Sequence, residues 1–109
     1  MDLFTPTAYV GMLNGLVHLN TTTTTPIYIG TANMTARKWL YIMNASGVPI
    51  FIGSASALDG VAITRNQLAK NGIKMSSGDA VWLPVSNKIT VYGISQSGAG
   101  KRLRVMELG

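Results

Sequence analysis

The stretch from Lys38 to Gly53, KWLYIMNASGVPIFIG, limits what this chain can fold into more than any other. It reads as two β-strands joined by an Asn-Ala-Ser-Gly-Val-Pro turn, and both faces of the strands are apolar. Side chains alternate sides along a strand, so Trp39, Tyr41 and Met43 share one face while Leu40 and Ile42 share the other. The pattern recurs: Val48, Ile50 and Ile52 oppose Phe51; Val81, Leu83 and Val85 oppose Trp82; Ile89 and Val91 oppose Tyr92. A sandwich strand ordinarily buries its aliphatic face and turns polar residues to water. An aliphatic core here leaves Trp39, Tyr41, Phe51, Trp82 and Tyr92 to be accommodated on the other side. Half-burial of five aromatic side chains amounts to roughly 400–600 Å², the largest apolar patch an ordinary monomer tolerates. Three arrangements meet this requirement. The chain's own N-terminal segment covers the aromatics, another subunit covers them, or they lie between the sheets and the aliphatics line the ends.

Strand signals dominate the remainder. Runs rich in Val, Ile, Thr and Tyr are separated by Gly, Asn, Pro and Ser at the spacing of an all-β sandwich or barrel. Strands are expected at Thr22 to Ile29, Lys38 to Asn44, Pro49 to Gly53, Val61 to Thr64, Ile73 to Met75 continuing into Asp79 to Val85, Lys88 to Ser95, and Lys101 to Glu107. One segment, TRNQLAKNG, reads as a short helical turn. Thr64 and Gln67 have capping-box spacing, and Gly72 stands where a left-handed C-cap would end it. At 109 residues, 47% of them hydrophobic and 12% charged, the chain makes one domain with a core that needs neither disulfide nor metal. Residues 1 to 20 differ in kind, mixing Phe4, Tyr9, Met12, Leu13, Leu16, Val17 and Leu19 with turn formers and showing no sustained period. They are expected to form an arm that lies along the chain's own domain or a neighbouring one, ahead of a sandwich domain over 21 to 109. The fold expected is an antiparallel, jelly-roll-like β-sandwich with at most one helical turn.

The inventory for chemistry is thin. His18 is the single histidine, there is no cysteine, and the acids are Asp2, Asp59, Asp79 and Glu107. Nucleophilic catalysis needs a base within reach of the nucleophile and a third group to orient it, and nothing marks such a set. GISQSG at 93 to 98 misses the final glycine of a nucleophile elbow. GAGK at 98 to 101 lacks the first glycine and the Ser/Thr of a phosphate loop, and a hairpin loop is the better account. A zinc site wants four Cys or His ligands and a hard-cation site clustered carboxylates, and neither pattern occurs. No cofactor is expected. The net charge of +5 is scattered, with Lys101, Arg102 and Arg104 the densest group, and shows neither the stripe nor the motif of a nucleic-acid reader. The N-terminus lacks the basic n-region of a signal peptide, so the Asn20, Asn33 and Asn44 sequons are read as chance. No run approaches the roughly 18 apolar residues of a membrane span, and a soluble chain is expected. Function is expected to reside in surfaces, with Trp39, Tyr41, Phe51, Trp82, Tyr92, Phe4 and Tyr9 as candidate partner contacts.

From about Thr22 to Glu107 the order of elements resembles a family of small β-sandwich structural proteins of tailed-bacteriophage virions. The run TPIYIG…ARKWLYIMNASGVPIFIGSA looks like their opening pair of strands, NGIKMSSGDAVWLPV like their next unit, and ITVYGISQSGAGKRLRVMEL like their closing hairpin with its basic R-[LV]-R-V strand. The resemblance covers about three quarters of the chain; residues 1 to 20 depart from the shared pattern. It implies a non-enzymatic virion part. The first expectation is a capsid decoration or cement protein, dimeric or trimeric, bound to the major capsid protein on the head surface. A neck, tail, baseplate or head-fibre attachment component is the alternative. The residues themselves also leave open a carbohydrate-binding module that stacks sugars on Trp39, Trp82 or the tyrosines.

Overall fold

A computed structural model describes residues 11–54 and 63–109. Eight strands and one helix follow in the order β1 (Met12–Leu19), β2 (Thr25–Pro26), β3 (Trp39–Asn44), β4 (Ile50–Ser54), α1 (Arg65–Asn71), β5 (Ile73–Met75), β6 (Ala80–Leu83), β7 (Val91–Ser95) and β8 (Lys101–Leu108). They form two four-stranded antiparallel sheets, ordered β1-β8-β3-β6 and β2-β7-β4-β5. This is the strand order of an eight-stranded jelly roll, and the all-β sandwich read from the strand pattern is the fold observed.

The core lies between the sheets and is aliphatic. Leu19, Leu40, Ile42, Leu103 and Val105 from the first sheet meet Ile27, Ile50, Ile52, Met75 and Val91 from the second. The aromatics stay outside, so the arrangement with aromatics between the sheets is not the one adopted.

Segments that read as hairpins are corners instead. β3 and β4, joined by the Asn44 turn, stand in opposite sheets, as do β7 and β8 on either side of SQSGAG. Of the consecutive strands, β4 and β5 alone pair with each other. Two strands that each carry one aliphatic face bury both faces when they stand opposite across a core, whereas a flat hairpin turns both the same way. The segment expected as an arm is, from Met12 to Leu19, a full strand paired along its length with β8, and it puts Val17 and Leu19 into the core. Thr22 to Ile29 contributes a two-residue strand. Of the expected strand at Val61 to Thr64, the first two residues lie outside the described ones, and Thr64 is the N-cap of α1.

The capping box forms as spaced: the Thr64 hydroxyl accepts from the Gln67 amide, and the Gln67 side chain accepts from the Thr64 amide. Gly72 is not left-handed, since its φ is −70°. Glycine is needed there for close approach, because a Cβ would fall 2.4 Å from the Leu68 carbonyl oxygen and 2.9 Å from that of Ile52. Leu68 is fully buried, and α1 packs on β4 and β7, against the outer side of the second sheet.

A buried ion pair holds one end of the sandwich. Arg37 Nη1 donates to Glu107 Oε2 at 2.8 Å, with both side chains out of solvent. Glu107 also accepts from the amides of Ile29 and Met34, and Arg37 also donates to the carbonyls of Val85, Ser86 and Ile89 and to Asn33 Oδ1. At the other end, buried Asn44 donates to the Val48 and Met75 carbonyls and accepts from the amide and hydroxyl of Ser46. Removing one member of a buried pair strands the other charge, at a cost of about 3–5 kcal/mol. Glu107→Leu is therefore expected to lower unfolding free energy in urea by that amount. Adding Arg37→Met is expected to recover less than half, because the backbone groups both side chains serve stay unpartnered; full recovery would show that the pair acts alone.

Candidate interaction surface

Directly opposed residues in an antiparallel ladder share a face, so the register lays out the outer side of the β1-β8-β3-β6 sheet row by row. One row is Asn14, Met106, Tyr41 and Trp82; the next is Leu16, Arg104, Met43 and Ala80; a third is Met12, Leu108 and Trp39. His18 and Arg102 close the end. Trp82 is the hub of the aromatics. Its ring stands edge-on to Trp39 at 6.3 Å and tilted against Tyr41 at 4.7 Å. It nonetheless remains 52% exposed, as do Met12 at 59% and Leu16 at 51%. A shallow groove of about 350 Å³ runs between β1 and β3 over β8, floored by Met106 and Arg104 and walled by Leu16, Tyr41 and Met43. No described element covers this face.

Phe51 and Tyr92 do not join it. They lie on the outer side of the other sheet, in the registers Phe51 to Ile94 and Gly53 to Tyr92. There α1 packs beside them and both are half-buried. The five aromatics thus divide three and two between opposite sides of the sandwich. Phe4 and Tyr9 fall outside the described residues. Sequence reasoning missed the contribution of Met12, Leu16, Met106 and Arg104, because the alternation in MLNGLVHL is blurred by apolar residues on both of its sides.

Among the described residues the surface is predominantly positive. Of nine Lys and Arg residues only Arg37 is buried, whereas among the described acids Glu107 is buried and Asp79 alone is exposed. Asp79 is engaged by the Ser76 amide in the β5–β6 turn.

The near-miss motifs sit in contexts that do not suit their chemistry. GISQSG and GAGK run from β7 through a loop into β8, with Gly98 and Gly100 at positive φ and no helix following. The Ser95 hydroxyl is spent on the Gly98 carbonyl. His18 is exposed on β1 beside Arg102. Among the described residues no group of three or more His, Cys, Asp or Glu converges to hold a metal ion. No protein-family model matches the chain, and no curated protein shows significant similarity to it.

The division between core and outer face is directly testable. Trp82→Lys is expected to leave a folded protein with stability changed by less than about 1 kcal/mol, whereas Ile42→Ala in the core costs about 2–5 kcal/mol. Chemical denaturation of the two variants side by side checks this; cooperative unfolding lost in Trp82→Lys would place that face in the core.

Proposed function

We propose that this chain is a non-enzymatic virion structural protein, a decoration or cement protein of a tailed-phage head that binds the capsid lattice through the outer face of the β1-β8-β3-β6 sheet. The observation that carries the reading is that face. Trp39, Tyr41 and Trp82 stand with Met12, Leu16, Met43, Met106 and Arg104 on a rigid sheet, without cover from any described element. Aromatic residues, Met and Arg are the side chains enriched at protein interfaces, and Trp, Tyr and Arg supply most hot spots. Support also comes from the likeness of the Thr22 to Glu107 segment to small virion sandwiches. The jelly roll is compatible with this role and with many others.

The mechanism is burial of the aromatic row against a capsid subunit whose facing surface is acidic. An acidic face complements the positive surface of this chain, steers the encounter and fixes orientation. Each contact is modest, and repetition over a lattice supplies the reinforcement.

Binding of purified protein to heads that lack it is the decisive assay. Trp82→Lys is expected to weaken binding at least tenfold, as loss of a hot-spot residue does, and raising salt from about 50 to 500 mM is expected to weaken it further. Quantitative mass spectrometry of virions is expected to count hundreds of copies. About a dozen or fewer would move the protein to the tail axis, as its low-order rotational symmetry requires, and indifference of binding to Trp82→Lys would remove the assigned face.

A further inference from the structure

The two sheets have four edges, and three of them are guarded. β2 is two residues long and contains Pro26, β5 is three residues long and carries Lys74, and β6 is four residues long and followed by Pro84. Short strands, proline and lysine are the usual protections against pairing with a foreign strand. β1 has none of these. It is eight residues long, MLNGLVHL, without Lys, Arg, Asp, Glu or Pro, and among the described residues it pairs on one side only.

The ladder shows which backbone groups are on offer. Gly11 and Gly109 exchange both their hydrogen bonds at 3.0 Å. Pairs alternate along an antiparallel ladder, so the amides and carbonyls of Leu13, Gly15, Val17 and Leu19 face β8. Those of Met12, Asn14, Leu16 and His18 face outward, and all four residues are exposed.

We propose that β1 is a self-association edge, pairing antiparallel with β1 of a second copy about a two-fold axis at Gly15. In this register Met12 faces His18 of the second copy and Asn14 faces its Leu16, so that every outward amide and carbonyl from residue 12 to residue 18 is used. Gly15 meets its symmetry mate at a position that is not hydrogen-bonded, where Cα atoms come within about 4.5 Å and the absence of a side chain relieves crowding. The partner is a second copy because the strand's own symmetry saturates the edge. The seam also brings together no formal charge, although the chain as a whole carries +5. Leu13, 42% exposed on the core-side parity of β1, is set against Val17 of the other copy. The product is a continuous eight-stranded sheet on which the two aromatic faces merge. One face, four strands at about 4.8 Å by six residues at about 3.3 Å, covers about 400 Å². Two cover about 800 Å², the share of one partner in a standard interface.

The inference stands on backbone geometry and does not need the virion reading, and its test is separable from capsid binding. Sedimentation velocity of the full chain is expected to show a reversible, concentration-dependent monomer–dimer equilibrium, as a small interface gives. Leu16→Lys and, independently, Asn14→Pro, which deletes an outward amide alone, are expected to weaken the dimer at least tenfold while circular dichroism stays unchanged. Trp82→Lys is expected to leave the dimer intact. In this cysteine-free chain Gly15→Cys is expected to form a covalent dimer on mild oxidation, its new Cβ meeting the Ile29 side chain, at 3.3 Å from Cδ1 and 3.8 Å from Cγ2. A strictly monomeric protein at about 1 mM, the weak end of the affinity scale, would overturn the proposal. So would a dimer that survives Leu16→Lys but not Trp82→Lys, or binding of a different protein's strand in place of the second copy.

Discussion

Everything at one end of the sandwich hangs on Glu107. It occupies a core-facing position of β8, after Leu103 and Val105, where a lone carboxylate would be heavily penalised by desolvation. Arg37 neutralises it, and the pair uses its remaining valences on backbone. Glu107 takes the amides of Ile29 and Met34, while Arg37 serves three carbonyls between Val85 and Ile89. The two long connections, β2 to β3 and β6 to β7, have little regular structure to satisfy their polar groups. The ion pair does it for them, and thereby fixes where β3 and β7 enter their sheets. Beside it Ala36 holds a positive φ of 60°, a conformation an alanine keeps only when its surroundings over-determine it.

The two outer sides of the sandwich are treated differently. On the β2-β7-β4-β5 side, α1 lays Leu68 over Gly53, a contact so close that a Cβ at Gly53 would sit 2.8 Å from Leu68 Cδ1. On the β1-β8-β3-β6 side no described element takes that role, and the aromatic row stays at the surface. One sheet is therefore covered on its outer side by α1, and the outer side of the other carries no described element.

Much of the local structure was legible in the residues. Strands β3 to β8 fall within or close to the expected runs, and the Thr64–Gln67 box caps a helix because both partners lie within one turn. The core of aliphatics and exclusion of aromatics follows from alternation once one face is assigned. Other features depend on contacts between distant segments. Arg37 and Glu107 are seventy residues apart, and the one hint was an acid on the aliphatic parity of the last strand, RVMEL, which implies a buried counter-charge. β1 was hard to see because its Met12 and Leu16 are apolar although they face outward. Gly72 was assigned to the wrong cause, since its identity answers close approaches to the Leu68 carbonyl of α1 and to the Ile52 carbonyl of β4, twenty residues earlier in the chain.

What the sequence determined by itself is periodicity: which residues alternate, where the chain turns, and that five aromatics oppose the aliphatic face. These are properties of neighbours along the chain, set by strand and helix geometry. Only the tertiary structure decided that consecutive strands, β4 and β5 excepted, alternate between sheets, so that three aromatics gather on one side and two on the other. It also decided which edge stands unguarded. Sheet partition is settled by which aliphatic faces can meet across the core, a choice among pairings far apart in sequence that no local pattern encodes.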